Sequence, residues 1–177
     1  QAYVPDPIPR HLDLSMPLVN QLDAASRAVS LLAGVGETVQ NPNLLIRPFL
    51  HREAVLSSRI EGTQASVSDL FVHEAGGRHL PDRETPGDVE EVANYVRALE
   101  HGMNRVGSLP ISLRLMNEIH SILLQGVRGA ERRPEELRAS QVWIGPPGSP
   151  IERARYIPPP HDKLRDLIFD WETFVNE

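Results

Sequence analysis

The sequence contains no cysteine, and that absence removes two classes of site at once: a disulfide framework and a thiolate metal centre. It also fits a reducing cytoplasm. Long apolar runs are missing as well. The longest, such as Leu44-Leu45-Ile46, fall far short of the roughly 20 residues that span a bilayer, and nothing resembles a signal peptide. Nor is there an excess of positive charge. Against 24 acidic residues stand 18 Lys and Arg, a formal net charge of −6, so no general field attracts a phosphate backbone and nucleic-acid binding is disfavoured. What remains, 177 residues at 40% hydrophobic content, suffices for a soluble globular chain: one domain, or a small domain with part of another. The chain starts at Gln1 without a methionine, and its last amphipathic segment is still running at Glu177. We expect further sequence beyond both.

The pattern of apolar residues is mainly helical. An extended arm with Pro5, Pro7 and Pro9 leads in. Leu18, Leu22, Ala25, Val29 and Leu32 then mark one face of a helix over 17–33, which Gly34 and Gly36 should stop. Asn41-Pro42 starts a second helix, expected to run to Glu61 with Gly62 ending it. A short piece, 66–74, precedes a Gly76-Gly77 turn and a polar loop to Glu84, which reads as a hinge dividing a region 1–83 from a region 84–177. Thr85 caps a third long helix carrying Val89, Val92, Val96 and Leu99. Ser112 caps a fourth with Leu113, Met116, Ile119 and Leu123. Two β-prone pieces, Val142-Trp143-Ile144-Gly145 and Tyr156-Ile157-Pro158, flank a Pro/Gly-rich segment and predict a β-hairpin over about 140–157. Helical spacing resumes after His161.

One residue breaks a local rule. Glu61 falls at the end of the second helix, where the unpaired carbonyls carry about −0.5 of a charge and disfavour an acid by about 0.3–1 kcal/mol. Ser57, four residues earlier, shares its face. A carboxylate there suits the capture of an arginine that would otherwise hold an anion. The same placement is equally served by a Ser57–Glu61 hydrogen bond and a solvated helix end.

The run Glu53-Ala54-Val55-Leu56-Ser57-Ser58-Arg59-Ile60-Glu61-Gly62-Thr63 resembles the inhibitory helix of Fic proteins: Ser or Thr, three residues, Glu, then Gly or Asn. The resemblance continues in His120–Gly129, in Pro134–Gly145 and in Tyr156–Pro160, three blocks in the family's order. It implies a mainly α, Fic-like helical bundle with an N-terminal helical region, an inhibitory helix at about 42–61 and one β-hairpin, the flap, at about 140–157. It further implies transfer of AMP from ATP, with Mg²⁺, to a hydroxyl side chain of a protein substrate. Ser57, Glu61 and Gly62 would form the inhibitory element, and Glu61, Ile144, Gly145, Arg155 and Tyr156 would lie at the nucleotide, within one chain or across a homodimer. An ordinary cover role for Trp143 and Tyr156 stands beside that reading.

The family's catalytic signature, His-Pro-Phe followed by an acidic residue, Gly-Asn-Gly and arginine, is absent from this sequence: none of the seven histidines precedes proline, and no Gly-Asn-Gly occurs. The resemblance therefore implies no catalytic residue in this chain. It implies either the N-terminal portion of a larger adenylyltransferase or a non-catalytic module supplying the glutamate to a separate Fic partner. Pro134-Glu135-Glu136-Leu137-Arg138 also departs from the usual Pro-Gly-Glu-Phe-Arg.

Other candidates are plainer. His73, Glu74 and His79 do not match helical metal-ligand spacing, and no metal site is expected. His120 reads as a half-buried structural histidine. Arg128, Arg132, Arg133 and Arg138 are interleaved with Glu131, Glu135 and Glu136, as in a mixed-charge surface loop, and Glu90, Glu91 and Glu100 as a solvated helix face.

Overall fold

The computed structural model describes residues 1–77 and 86–177. Helices dominate the described residues: α1 Met16–Glu37, α2 Pro42–Ile60, α3 Val67–Glu74, α4 Pro86–Val106, α5 Leu113–Leu123 and α6 Leu164–Asn176, with short 3-10 turns at Ala130–Arg132, Ile151–Arg153 and His161–Lys163. None is long and apolar enough to cross a membrane. The chain divides into two compact units, one of His11–Val96 and the other of Gln1–Arg10 with Arg97–Glu177. The expected cap Thr85 and the candidate ligand His79 lie outside the described residues.

The unit His11–Val96 is organised by apolar burial. Ala54 and Val55 of α2, Ala65, Leu70 of α3, and Val89, Val92, Ala93 and Val96 of α4 form its core. The α4 residues recur at spacings of three and four, which places them on one face. Local chemistry sets the ends of α3. The Ser66 side chain accepts from the Asp69 N–H while the Asp69 carboxylate accepts from the Ser66 N–H at 3.0 Å, a capping box that satisfies two donors at once. Asp88 reaches across to take the Gln64 N–H at 2.9 Å.

One helix expectation needs correcting. Gly34 and Gly36 do not stop the first helix, which continues to Glu37 and ends with Thr38 bonded to the Val35 carbonyl. Glycine costs about 1 kcal/mol inside a helix and terminates it only where a left-handed residue is required; neither glycine has a positive φ. No residue of α1 is buried. In α2, Pro48 sits inside the helix and offers no N–H to the Leu44 carbonyl, a weakness tolerated within a segment otherwise well formed to Ile60.

The unit of Gln1–Arg10 and Arg97–Glu177 is built differently. Among its described residues only Ala98 and Leu115 are buried hydrophobics. Gly102 of α4 lets Ile119 of α5 approach so closely that a Cβ would sit 2.9 Å from its Cδ1. Side chains anchor the rest: Glu172 of α6 accepts the first N–H of α5 at Leu113, Asn176 donates to the Ile111 carbonyl at 2.8 Å, and Gln141 donates to the Pro158 carbonyl at 3.0 Å.

The predicted β-hairpin is not formed. Among the described residues it reduces to one antiparallel bridge, Ile144 with Tyr156. The reason is proline. Continuing the pairing in either direction would require an N–H from Pro158 opposite Val142, or from Pro146 opposite Ala154, and neither has one.

Candidate functional site

The end of α2 is a Schellman motif. The Gly62 N–H donates to the Arg59 carbonyl at 3.0 Å and the Thr63 N–H to the Ser58 carbonyl at 3.2 Å, with Gly62 at φ 100°. Gly62 thus ends the helix as expected, for a conformational reason. Ser58 and Thr63 are buried beneath the turn. Glu61 is the C-cap residue between them, its backbone held by the Ser58 carbonyl at 3.1 Å and its side chain exposed. Among the described residues its carboxylate has no hydrogen-bond or ion-pair partner. Ser57 does not bond to it: its hydroxyl donates back along the helix to Glu53 Oε1 at 2.7 Å. The arrangement presents a free carboxylate on a rigid turn, able to receive a guanidinium.

The second cluster of candidates lies between Ile144 and Tyr156. The Ile144 N–H donates to the Tyr156 carbonyl at 2.8 Å, and the Arg155 and Tyr156 N–H groups converge on the Ile144 carbonyl at 2.7 and 3.2 Å. Inside the loop, Pro147 and Gly148, the latter at φ 72°, form a turn closed by Ser149 N–H to the Pro146 carbonyl at 3.0 Å. The Trp143 indole N–H clips this turn at the Ser149 carbonyl, 3.1 Å away, so Trp143 serves the loop and is itself exposed. Gly145 is required for space: a Cβ would lie 2.9 Å from Ser149 Oγ and 3.4 Å from Ala154 Cα. Arg155 and Tyr156 line a cleft of about 500 Å³, with Gln141, Glu152 and Ile157. Ile144, Gly145, Arg155 and Tyr156 are thus brought together, while Ser57, Glu61 and Gly62 belong to the other compact unit.

Sequence reading missed two groups. His51 of α2 is fully buried. Its Nε2 lies 3.1 Å from Glu74 Oε1, a polar contact whose geometry falls short of a hydrogen bond, and its ring meets Phe71 edge-on at 4.8 Å. Arg47 reaches the same carboxylate at 3.4 Å. The other group centres on Glu118 of α5, which accepts from Arg105 Nε at 2.9 Å and contacts His101 Nε2 at 3.0 Å and Arg114 at 3.3 Å. The hydrogen bond from Arg105, then that from His101, lowers the Glu118 pKa to about 2, and the same pairing raises that of Arg105. His101, Arg114 and Glu118 line a cleft of about 680 Å³ with Ser121, which donates to Glu135 at 2.8 Å. The i, i+4 pairs His101/Arg105 and Arg114/Glu118 were the available signal.

The remaining candidates have structural partners. His73 Nε2 lies 3.3 Å from Glu90, and no group of three or more metal-ligating side chains occurs among the described residues. The ring nitrogen of His120 bonds to the Pro134 carbonyl, although the residue is exposed rather than half-buried. Arg133 pairs with Glu136 at 3.3 Å, and Arg138 donates to the Pro159 carbonyl.

Residues 19–104 match the model of the Fic/DOC family N-terminal region, a span that includes all of α2 and its terminal Glu61. The chain therefore carries a Fic/DOC family N-terminal region. No curated protein matches it. The family match ends before α5, so the loop between Ile144 and Tyr156 is known here from its own geometry.

Proposed function

We propose that this Fic-family chain is the N-terminal portion of a protein adenylyltransferase and that Glu61 is its brake. In the reaction a target hydroxyl oxygen bonds to the α-phosphorus of ATP, the bond from that phosphorus to the bridging oxygen breaks, pyrophosphate leaves, and the hydroxyl proton passes to a base. That base is supplied by the part of the protein that carries the catalytic loop. Mg²⁺ would offset phosphate charge. Within this chain Arg155 and Tyr156 fit a nucleotide, because a guanidinium and a half-exposed aromatic ring line one cleft. Ile144 and Gly145 would frame that cleft and hold a target segment. The proposed setting is the cytoplasm.

The observation that carries this reading is the carboxylate of Glu61, fixed on a Schellman turn inside the family-matched region yet without a partner among the described residues. A rigid, unpaired acid is suited to capture a catalytic-loop arginine and so misplace the phosphates. In the complete protein, Glu61→Gly should raise incorporation of labelled AMP by about tenfold or more, equivalent to about 1.4 kcal/mol of relieved inhibition. Equal or lower incorporation in a folded variant would sink the brake.

The missing His-Pro pair supports a second reading, in which this chain is a non-catalytic module that presents Glu61 to a separate Fic protein. Intact mass of the protein from its native cells separates the two. A mass well above that of these 177 residues favours the single enzyme, and a matching mass favours the module.

A further inference from the structure

The first residues of the chain are tied to the Ile144–Tyr156 loop at one end and to α6 at the other. The Tyr3 N–H donates to the Ile157 carbonyl at 2.8 Å, and the Tyr3 ring lies 6.2 Å from that of Tyr156, tilted by 42°. Further along, the Ile8 N–H donates to Asp170 Oδ2 at 2.8 Å. Arg10 reaches Oδ1 of the same carboxylate at 3.1 Å and Glu177 at 3.6 Å. Pro5 and Pro7 stand between these anchors and Pro9 follows Ile8. Proline fixes φ and narrows the unfolded ensemble, so such a segment is stiff and loses little freedom on docking. It acts as a strut.

Backbone groups of successive extended residues point to opposite sides. Tyr156 therefore faces Ile144, Ile157 faces Tyr3, and the segment 156–157 is the middle of three. Ile144 is 64% exposed, and among the described residues the backbone of the two flanks pairs through a single bridge, supplemented by side-chain bonds from Gln141 to the Pro158 carbonyl and from Trp143 to that of Ser149.

We propose that residues 1–10 are a strap that positions the Ile144–Tyr156 loop, with Asp170 as its fixing point and Tyr3 as its contact. Tyr3, Ile8, Arg10 and Asp170 are then positioning residues. On the adenylyltransferase reading, which this consequence rests on, the strap sets the shape in which Arg155 and Tyr156 meet the nucleotide.

The test is hydrogen exchange on the complete protein without ligand, comparing the wild type with Asp170→Ala and Tyr3→Pro. The first removes both Asp170 acceptors; the second deletes the Tyr3 N–H and ring without touching α6. Both should speed exchange in peptides covering 143–157 by roughly tenfold, the effect of losing about one hydrogen bond and its neighbours, while α4 and α5 stay protected. Faster exchange in the arm with an unchanged loop overturns the proposal. If Asp170→Ala does not fold, Tyr3→Pro decides alone. With AMP transfer as a second readout, Tyr3→Pro should raise KM for ATP severalfold with little change in kcat, and an unchanged KM in a loosened loop overturns the positioning role. A wild type without AMP transfer refutes the activity and leaves the exchange experiment to judge the strap.

Discussion

The two compact units are held together by different forces. In His11–Val96, apolar side chains from α2, α3 and α4 cluster around Leu70 and Val92, both fully buried. In the unit of Gln1–Arg10 and Arg97–Glu177, the long-range links are hydrogen bonds and ion pairs: Ile8 to Asp170, Leu113 to Glu172, Gln141 to Pro158, and His101 and Arg105 to Glu118. Apolar burial is non-directional and roughly proportional to area, so it stabilises helices without specifying the shape of a loop. Hydrogen bonds are directional, and each contributes only about 0.5–1.5 kcal/mol net. They define a loop's shape while leaving it able to move. The loop that carries Arg155 and Tyr156 belongs to the second kind of construction, and the carboxylate of Glu61 is mounted on the first.

If that contrast is right, the largest loss comes from a cavity in the apolar unit. Leu70→Ala should cost about 2–5 kcal/mol, read from denaturant midpoints at unchanged slope. A cost below about 1 kcal/mol would break the comparison at its stronger end. In the polar unit the corresponding change is Glu172→Ala, which removes a carboxylate from the first N–H of α5, where the helix dipole favours negative charge. It should cost about 1–2 kcal/mol, with Glu172→Gln recovering part of the loss. Full recovery by glutamine would show that the charge contributes nothing.

The smallest effect sharpens the contrast by pH. Glu118 titrates at about 2 in the folded protein against an ordinary 4.5, so the folded state binds its proton less readily than the unfolded state. The stabilisation is complete above about pH 4.5 and is lost as pH falls toward 2. Thermal melts across this window should slope less steeply in Glu118→Gln than in the wild type. Identical slopes would mean that the Arg105–His101–Arg114 arrangement does not stabilise the fold, as solvent screening of this open network permits.

Local signals predicted the local features well. Asn41-Pro42 and Gly62 bracket α2 because proline without an N–H suits a first turn and glycine suits a left-handed cap, and both requirements lie within a few residues. Ser112 marks the start of α5 for the same kind of reason, its side chain accepting from Leu115. The glycines at 34 and 36 misled because a helix stop needs a conformation as well as a residue type. The flap misled because β-propensity was legible in Val142–Gly145 and Tyr156–Ile157, whereas the register that sets Pro146 and Pro158 against partners needing an N–H emerges only once Ile144 meets Tyr156.

The sequence by itself determined the helices, most of their caps, the exposed acid after α2 and the Fic/DOC N-terminal region, because each of these is encoded in neighbouring residues or in an ordered run of motifs. Tertiary structure alone decided that His51 is buried against Glu74 and Phe71, that Glu118 gathers Arg105, His101 and Arg114, and that Asp170 anchors an arm 160 positions away. Those pairings depend on where the folded chain brings distant side chains. The free energy that selects them is the satisfaction of polar groups withdrawn from water, which no local pattern records.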